Sequence, residues 1–281
     1  KTKLFNLLDN KDNLKQFPKY GILNVDDVSY STLEKIVEEK VVTYGIENHA
    51  DFRATNITFS DEGTTFTLSY QDKKTEVETN LLGKHNLYNS LAAIAIAMKS
   101  NVPIQAIISS LGYVPSIQGR LDRIDLGQKF KVFVDYAHTA NGLKNLLELA
   151  AKIKQDKVIL VFGLSGGARD KSKREAMGRI AAQSADKVIV TAVDWYSSEE
   201  HVDNIIDDIA KGCIAKGYVE DDNLWKISNR EEAINFGIGL AKEGDLVIVA
   251  GKGHETKINI GDKEVAWSEH KVIKKALESH M

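Results

Sequence analysis

From residue 119 onward the chain alternates short apolar runs with amphipathic segments, and this alternation limits the second half to one class of fold. The runs 158–162 and 246–250 contain only apolar residues, as strands buried on both faces of a sheet do. Weaker runs predict strands at 131–136, 187–191 and 224–227, and helices near 141–154, 171–184, 199–216 and 230–242. The βαβ order predicts a doubly wound, Rossmann-like α/β domain with ligands bound at the carboxyl ends of its strands.

Residues 20–80 differ because apolar and polar residues alternate there. In the segment 64–70, Phe66, Leu68 and Tyr70 fall on one side, which is typical of a strand with one buried face. Similar segments lie at 20–25, 41–45, 52–59 and 75–79. Together these segments predict a β-meander.

Apolar residues at helical spacing follow the meander and predict helices at 86–100 and 102–111. A chain of 281 residues is long enough for two domains. We therefore expect a sheet-plus-helices domain over residues 1–117 and the Rossmann-like domain over residues 118–281.

Composition argues against several classes of partner. The chain has 37 Lys and Arg against 40 Asp and Glu, a net charge of −3, so it lacks the basic character that attracts nucleic acid or an anionic membrane. It contains no run of 18 apolar residues, so no membrane insertion is expected. Cys213 is the single cysteine, and no cysteine cluster can therefore bind a metal.

Polar and glycine-rich clusters follow four of the predicted strands, at 135–139, 163–174, 191–196 and 251–255. Glycines let backbone N–H groups approach an anion closely. Four cations lie near the start of one predicted helix: Arg169, Lys171, Lys173 and Arg174. Cations oppose the macrodipole at that position, so we expect an anionic ligand beside them. A solvated helical turn is the alternative, and His254 taken alone is more simply a core histidine.

Six short strings carry a resemblance to a known family. They stand at 23–27, 83–93, 119–120, 134–139, 162–178 and 250–255, and include Gly83-Lys-His85-Asn86 and Ala250-Gly-Lys-Gly-His-Glu255. In order and spacing they resemble the Mur ligase family of ATP-dependent amino-acid ligases, and within it the tripeptide synthetases of peptidoglycan synthesis. The resemblance covers almost the whole chain and identifies the first domain as part of the family's central, ATP-binding domain.

The resemblance implies a ligation in two chemical steps. ATP phosphorylates the terminal carboxylate of UDP-MurNAc-L-Ala-D-Glu, and the amine of a free amino acid then attacks the acyl phosphate. Mg²⁺ and protein cations neutralise the phosphate charge, and the protein mainly positions the reactants. A monomeric, cytoplasmic enzyme is expected.

The family's nucleotide-binding roles transfer to five positions. Asn86 and Asn89 resemble the asparagines that contact adenine, since an amide both donates and accepts hydrogen bonds. Arg120 resembles an arginine that reaches the ATP phosphate. Asp135 resembles the aspartate that binds ribose, and His138 stands beside the phosphates.

The roles in binding the incoming amino acid transfer to the clusters after the later strands. Arg169 resembles the arginine that binds a carboxylate of this amino acid. Gly251 and Glu255 resemble the residues that contact the amine end and the side-chain end of this amino acid. Asp194 stands in the segment after the third strand that sets which amino acid the family's members add, here called the specificity segment.

That specificity segment departs from the family's pattern. Members that add meso-diaminopimelate carry Asp-Asn-Pro-Arg there, and the arginine binds the distal carboxylate. Here residues 193–197 read Val-Asp-Trp-Tyr-Ser, without an arginine. The distal carboxylate would lose its bidentate partner, so L-lysine is favoured over diaminopimelate. Glu199 and Glu200 could face an ammonium or simply stand as acids in the first turn of a helix.

The family has an N-terminal UDP-binding domain followed by a P-loop, and the sequence given matches neither. For the P-loop the reason is that no Gly-Lys-Thr or Gly-Lys-Ser string occurs. Lys1 stands where the family carries a carbamylated lysine that helps to bind Mg²⁺, and Lys3 is a competing candidate. We expect that upstream sequence is missing here. The alternatives are a ligase of the folylpolyglutamate- or cyanophycin-synthetase type, or a fragment that only binds nucleotide or amino acid.

Overall fold

The computed structural model describes residues 20–37, 41–166, 171–194 and 200–280. The chain divides into two compact units, Lys1–Pro115 and Ser116–Met281. Each unit has its own sheet and its own hydrophobic core. None of the helices within the described ranges combines the length and the apolar character needed to cross a bilayer.

The first unit is a mixed sheet with helices. Its strands are β1 (Gly21–Asn24), β2 (Val41–Gly45), β3 (Phe52–Phe59), β4 (Thr64–Tyr70) and β5 (Lys73–Thr79), and its helices are α1 (Tyr30–Val37), α2 (Lys84–Lys99) and α3 (Ile104–Tyr113). The strands lie in chain order across the sheet. The first three pair in parallel and the last three pair antiparallel.

The predicted meander is therefore wrong for β1–β3 and right for β3–β5. A parallel pair needs a crossover between its strands, and α1 provides one between β1 and β2. The sequence pattern did not reveal α1 because it buries little: among its residues only Val37 is buried. Tight antiparallel connections join β3, β4 and β5, as the polar breaks between them indicated.

The core of the first unit lies between α2 and the sheet. Leu87, Leu91 and Ile94 of α2 belong to one apolar cluster with Phe66 and Leu68 of β4. All five side chains are almost completely buried, and each contributes about 2 kcal/mol by leaving water. The alternation of Phe66 and Leu68 therefore predicted the buried face correctly.

The second unit is a doubly wound sheet, as predicted. Its strands are β6 (Arg120–Arg123), β7 (Lys131–Asp135), β8 (Val158–Phe162), β9 (Lys187–Val190), β10 (Leu224–Lys226) and β11 (Leu246–Ala250). Its helices are α4 (Ala140–Ile153), α5 (Ser172–Ser184), α6 (Val202–Ile214), α7 (Arg230–Gly239) and α8 (Glu269–His280). The order across the sheet is β10-β9-β8-β11-β7-β6, and every pair is parallel except the one between β6 and β7.

Strands β8 and β11 are buried at every residue, which confirms the interpretation of their apolar runs. Four elements of the second unit were not predicted: β6, α8 and the two strands of a hairpin, β12 (Lys257–Ile260) and β13 (Lys263–Ala266). Strand β6 is short and mostly charged, and every residue of β13 is exposed, so neither shows an apolar signal. The carboxyl ends of β7, β8, β9 and β11 share one edge of the sheet, which we call the carboxyl edge.

Candidate active site

The last residue of β7, Asp135, holds the backbone around the carboxyl edge. Its Oδ2 accepts a hydrogen bond from the backbone N–H of Leu121 at 2.9 Å, and its Oδ1 accepts one from Ala137 at 2.8 Å. Leu121 has a φ of +50°, an unfavourable conformation that this hydrogen bond helps to maintain. Asp135 is buried and has an internal structural role; its predicted contact with ribose stays a prediction.

Tyr136 follows Asp135 and is surrounded by side chains from three segments. The guanidinium carbon of Arg120 lies 4.9 Å from the centre of the Tyr136 ring. The rings of His138 and His254 lie 4.6 and 4.9 Å from the same ring, centre to centre. The Tyr136 hydroxyl donates a hydrogen bond to Glu255 Oε1 at 3.0 Å. The structure thus brings together three predicted site residues, Arg120, His138 and Glu255, around a tyrosine that was not predicted.

Two glycines make this approach of segments possible. A Cβ on Gly119 would lie 2.3 Å from the backbone nitrogen of His254, and one on Gly253 would lie 2.8 Å from Cβ of Tyr136. Both glycines also have positive φ angles, of +68° and +53°. Larger residues at either position would push the segments apart.

Lys252 lies in the loop after β11 and is the main ionic contact that the sequence interpretation missed. Its Nζ lies 3.1 Å from each carboxylate oxygen of Asp194 and 2.5 Å from Glu255 Oε2. The lysine side chain is only 2% exposed. A buried ammonium needs compensating negative charge, and these two carboxylates provide it. The Gly-Lys-Gly spacing marked the loop, but nothing in the sequence showed that Lys252 points inward.

Asp194 has a further internal partner. Its Oδ1 accepts a hydrogen bond from the backbone N–H of Asn259 at 2.8 Å, so it connects the segment after β9 to β12. The carboxylate is thereby occupied by Lys252 and Asn259. Its predicted role in binding the amino acid is untested, and the same holds for Gly251, whose N–H donates to the carbonyl of Asp135 at 3.1 Å.

The cations at the start of α5 have partners within the protein. Arg174 donates to Glu200 at 2.6 and 3.1 Å and to Asp208 at 3.2 Å, and Lys171 donates to Glu200 at 2.9 Å. The hydrogen bond from Arg174 lowers the pKa of Glu200 to about 2. Glu200 thus supplies an anion within the protein to Lys171 and Arg174, and the expected anionic ligand beside them stays a prediction. Arg169 lies outside the described residues.

A cavity of about 410 Å³ opens at the same edge. Its lining includes His138, Thr139, Gly163, Ser165, Lys173 and Val193. These residues follow β7, β8 and β9 or begin α5, so the cavity lies where a doubly wound sheet places its ligands. Its lining is mixed: His138, Thr139, Ser165 and Lys173 offer polar groups, whereas Leu164 and Val193 are apolar, and such a lining suits a small molecule that carries polar groups.

The two asparagines of the first unit have different surroundings. Asn86 is completely buried; its amide donates to the carbonyl of Leu82 at 2.9 Å, and its Oδ1 accepts a hydrogen bond from Asn89 at 3.4 Å. Within this unit Asn86 therefore holds Asn89, whose side chain is exposed. Of the two, Asn89 is the more accessible to a ligand.

A carboxylate in the first unit connects the ends of β1 and β2 to α2. Asp26 accepts hydrogen bonds from the backbone of Ile46, Glu47 and Asn48 and from the hydroxyl of Tyr88, at 2.7 to 3.1 Å. Burial acts to raise the pKa of Asp26, but these hydrogen bonds outweigh it and lower the pKa to about 2.

The described residues contain no group of three or more His, Cys, Asp or Glu side chains that could hold a metal ion. Lys1, the predicted ligand of Mg²⁺ as a carbamate, lies outside the described residues.

Two family models match the chain in succession. One, described as the Mur ligase middle domain, matches residues 1–97, and one described as the Mur ligase, glutamate ligase domain matches residues 119–253.

Two curated relatives and one solved structure carry the same name. A UDP-N-acetylmuramoyl-L-alanyl-D-glutamate–2,6-diaminopimelate ligase from Halalkalibacterium halodurans is 40% identical over 260 residues, which is 92% of this chain and 52% of that protein. One from Bacillus licheniformis is 38% identical over 277 residues, 99% of this chain and 55% of the relative. A solved structure of a ligase with this name is 28% identical, with a TM-score of 0.63, and covers 99% of this chain and 55% of its own. The chain thus spans about half the length of these relatives.

Proposed function

The chain belongs to the Mur ligase family, and from that premise we propose that it is part of an ATP-dependent ligase that joins a free amino acid to UDP-MurNAc-L-Ala-D-Glu in peptidoglycan synthesis. One observation carries the proposal. The family's middle and C-terminal domains follow each other here, and the second places Arg120, His138 and Glu255 around one tyrosine at the carboxyl edge. A cytoplasmic, monomeric enzyme is part of the proposal.

The proposed chemistry uses these side chains for positioning and for charge. ATP would supply the phosphoryl group that activates the terminal carboxylate of the UDP-MurNAc-dipeptide, and Mg²⁺ would accompany it. Arg120 and His138 are assigned to the phosphate side because Arg120 is a half-buried cation and His138 is an exposed imidazole that, when protonated, can donate a hydrogen bond to an anion. Asn89 is assigned to adenine and Asp135 to ribose, each on the family resemblance.

The incoming amino acid has one carboxylate and one ammonium near its reacting centre. Arg169 is assigned to the carboxylate, because an arginine can bind it through two parallel hydrogen bonds. Glu255 is assigned to the ammonium, with the backbone at Gly251 beside it. Lys1 is proposed to be a carbamate that helps to bind Mg²⁺; Lys1→Ala should lower activity, and added bicarbonate should not restore it.

We further propose that L-lysine is used in preference to meso-diaminopimelate. The proposal rests on residues 193–197, which read Val-Asp-Trp-Tyr-Ser and offer no arginine to a distal carboxylate. The names of the relatives point to diaminopimelate for those proteins, so the two amino acids must be compared directly.

The experiment is a competition assay with the purified protein that carries this chain. ATP, UDP-MurNAc-L-Ala-D-Glu and equal amounts of L-lysine and meso-diaminopimelate are mixed, and the products are identified by mass spectrometry. A lysine product supports both proposals. A diaminopimelate product supports the ligase and contradicts the lysine preference. If neither amino acid gives an amide product but calorimetry still shows binding of ATP or of an amino acid, the ligase proposal fails for this chain. The alternative, a fragment that only binds these ligands, would then be supported.

A further inference from the structure

Tyr136 stands between the side chains assigned to the phosphates and the side chain assigned to the amino acid. We propose that Tyr136 is a positioning residue for the ligation: its ring holds Arg120 and His138, and its hydroxyl orients Glu255. The inference rests on the proposed function, because it concerns how the same site is kept in order. The sequence resemblance assigned no role to this residue.

The ring of Tyr136 organises the phosphate side. An arginine 4.9 Å from the ring centre is within the range of a cation–π interaction, which favours that side-chain position without neutralising its charge. The His138 ring contacts the same tyrosine ring edge-on, at 4.6 Å. Arg120 therefore keeps a full positive charge for an anionic ligand while its conformations are restricted.

The backbone of Tyr136 also orients His138. Nδ1 of His138 lies 2.9 Å from the carbonyl oxygen of Tyr136. Since a carbonyl oxygen can only accept, this contact requires the proton on Nδ1. In the neutral imidazole, Nε2 is then the nitrogen that accepts a proton or a hydrogen bond.

The hydroxyl of Tyr136 organises the amino-acid side. It donates to Oε1 of Glu255 at 3.0 Å, while Oε2 of the same carboxylate faces Lys252 at 2.5 Å. One partner on each oxygen fixes the plane of the carboxylate. Lone pairs on both oxygens remain for an incoming ammonium, since a carboxylate accepts about four hydrogen bonds.

The position of Tyr136 itself is fixed by packing. It directly follows β7, and its Cβ lies where a side chain on Gly253 would otherwise stand. Gly119 packs against the same loop, so the segments carrying Arg120 and Glu255 are both held next to the tyrosine. A rigid residue between two groups of functional side chains is what keeps such groups in a productive geometry.

Two substitutions separate the two roles. Tyr136→Phe removes only the hydroxyl, whereas Tyr136→Leu removes the hydroxyl and the aromatic face. Tyr218→Phe is the matched control: it removes a hydroxyl that donates to the carbonyl of Ala185, just before β9 and at the opposite edge of the sheet. Steady-state kinetics are measured for ATP and for the amino acid that the wild type prefers, and the melting temperature is recorded for each variant.

Tyr136→Phe should raise the KM of the amino acid about tenfold, with the KM of ATP within about twofold, because only a hydrogen bond to a charged group is lost. Tyr136→Leu should raise the KM of ATP as well, by about threefold or more, because Arg120 loses its aromatic partner. Tyr218→Phe should leave both KM values unchanged, and its only expected effect is a lower melting temperature.

The inference fails if Tyr136→Phe behaves like the wild type, or if it changes both KM values equally, as general loosening of the site would. The outcome is distinct from failure of the proposed function, in which the wild type itself forms no amide product.

Discussion

The two units hold their strand ends with different chemistry. In the first unit a single carboxylate, Asp26, accepts hydrogen bonds from neutral donors: three backbone N–H groups, a tyrosine hydroxyl and the side-chain amide of Asn48. In the second unit Asp135 likewise accepts from neutral backbone donors, but other carboxylates there meet buried cations. Arg230 donates to Glu269 and also to the carbonyls of Ala192 and Ala250, beside the ends of β9 and β11.

This difference changes the cost of losing one partner. When Asp26 is removed, the donors left behind are neutral and lie near the surface, where water can replace the carboxylate. When one member of a buried ion pair is removed, an uncompensated charge stays in a medium of low polarity. In the second unit these ion pairs lie at the edge where charged groups are proposed to act on substrates. There they keep the charged groups in fixed positions.

The largest effect is expected from Arg230→Ala. Arg230 and Glu269 are 1% and 0% exposed, so the substitution buries an unpaired carboxylate and releases two carbonyls at the strand ends. We expect a loss of about 3–5 kcal/mol in the free energy of unfolding. Urea denaturation of the wild type and the variant measures this loss. Lys275→Ala is the control, because its ion pair with Glu231 is largely exposed and should contribute less than about 1 kcal/mol. Equal losses for both variants would contradict the comparison.

A smaller, pH-dependent effect is expected from Asp26→Asn. The pKa of Asp26 is about 2 in the folded protein, below its usual value of about 4 when unfolded. Its contribution is therefore fully present above about pH 4 and is lost as the pH falls towards 2. At neutral pH the substitution should cost about 1–2 kcal/mol. Between pH 4 and 2 the wild type should lose stability more steeply than the variant. Parallel pH profiles in thermal melts would show that Asp26 makes no such contribution.

The smallest expected effect is a gain in stability from changing the turn between β4 and β5. Gln71 and Asp72 have φ angles of +46° and +59°, which suit Asn-Gly better than the residues present. The double substitution Gln71→Asn with Asp72→Gly should raise the free energy of unfolding by about 1 kcal/mol. Asp262→Gly is the control, because in the turn between β12 and β13 the positive φ belongs to Gly261. If Asp262→Gly raised the free energy of unfolding and the double substitution at 71 and 72 did not, the argument from the positive φ angles would be refuted.

Several features of the fold were predictable because they depend on neighbours in the chain. The buried strands β8 and β11 followed from runs of apolar residues, and the buried face of β4 followed from alternation. The family was predicted from short strings and is confirmed by the two family models. Strand β6 escaped prediction because it is short and mostly charged, and helix α1 because it is only eight residues long and buries one side chain.

What the sequence determined by itself is local: the type of most elements, the family strings and the cluster after each strand. Only the tertiary structure decided how distant residues pair. It placed β11 between β7 and β8, paired Arg174 with Glu200, and buried Lys252 between Asp194 and Glu255. The physical reason is that an ion pair depends on distance in space. Lys252 and Asp194 are 58 positions apart along the chain, and no local pattern carries information about their contact.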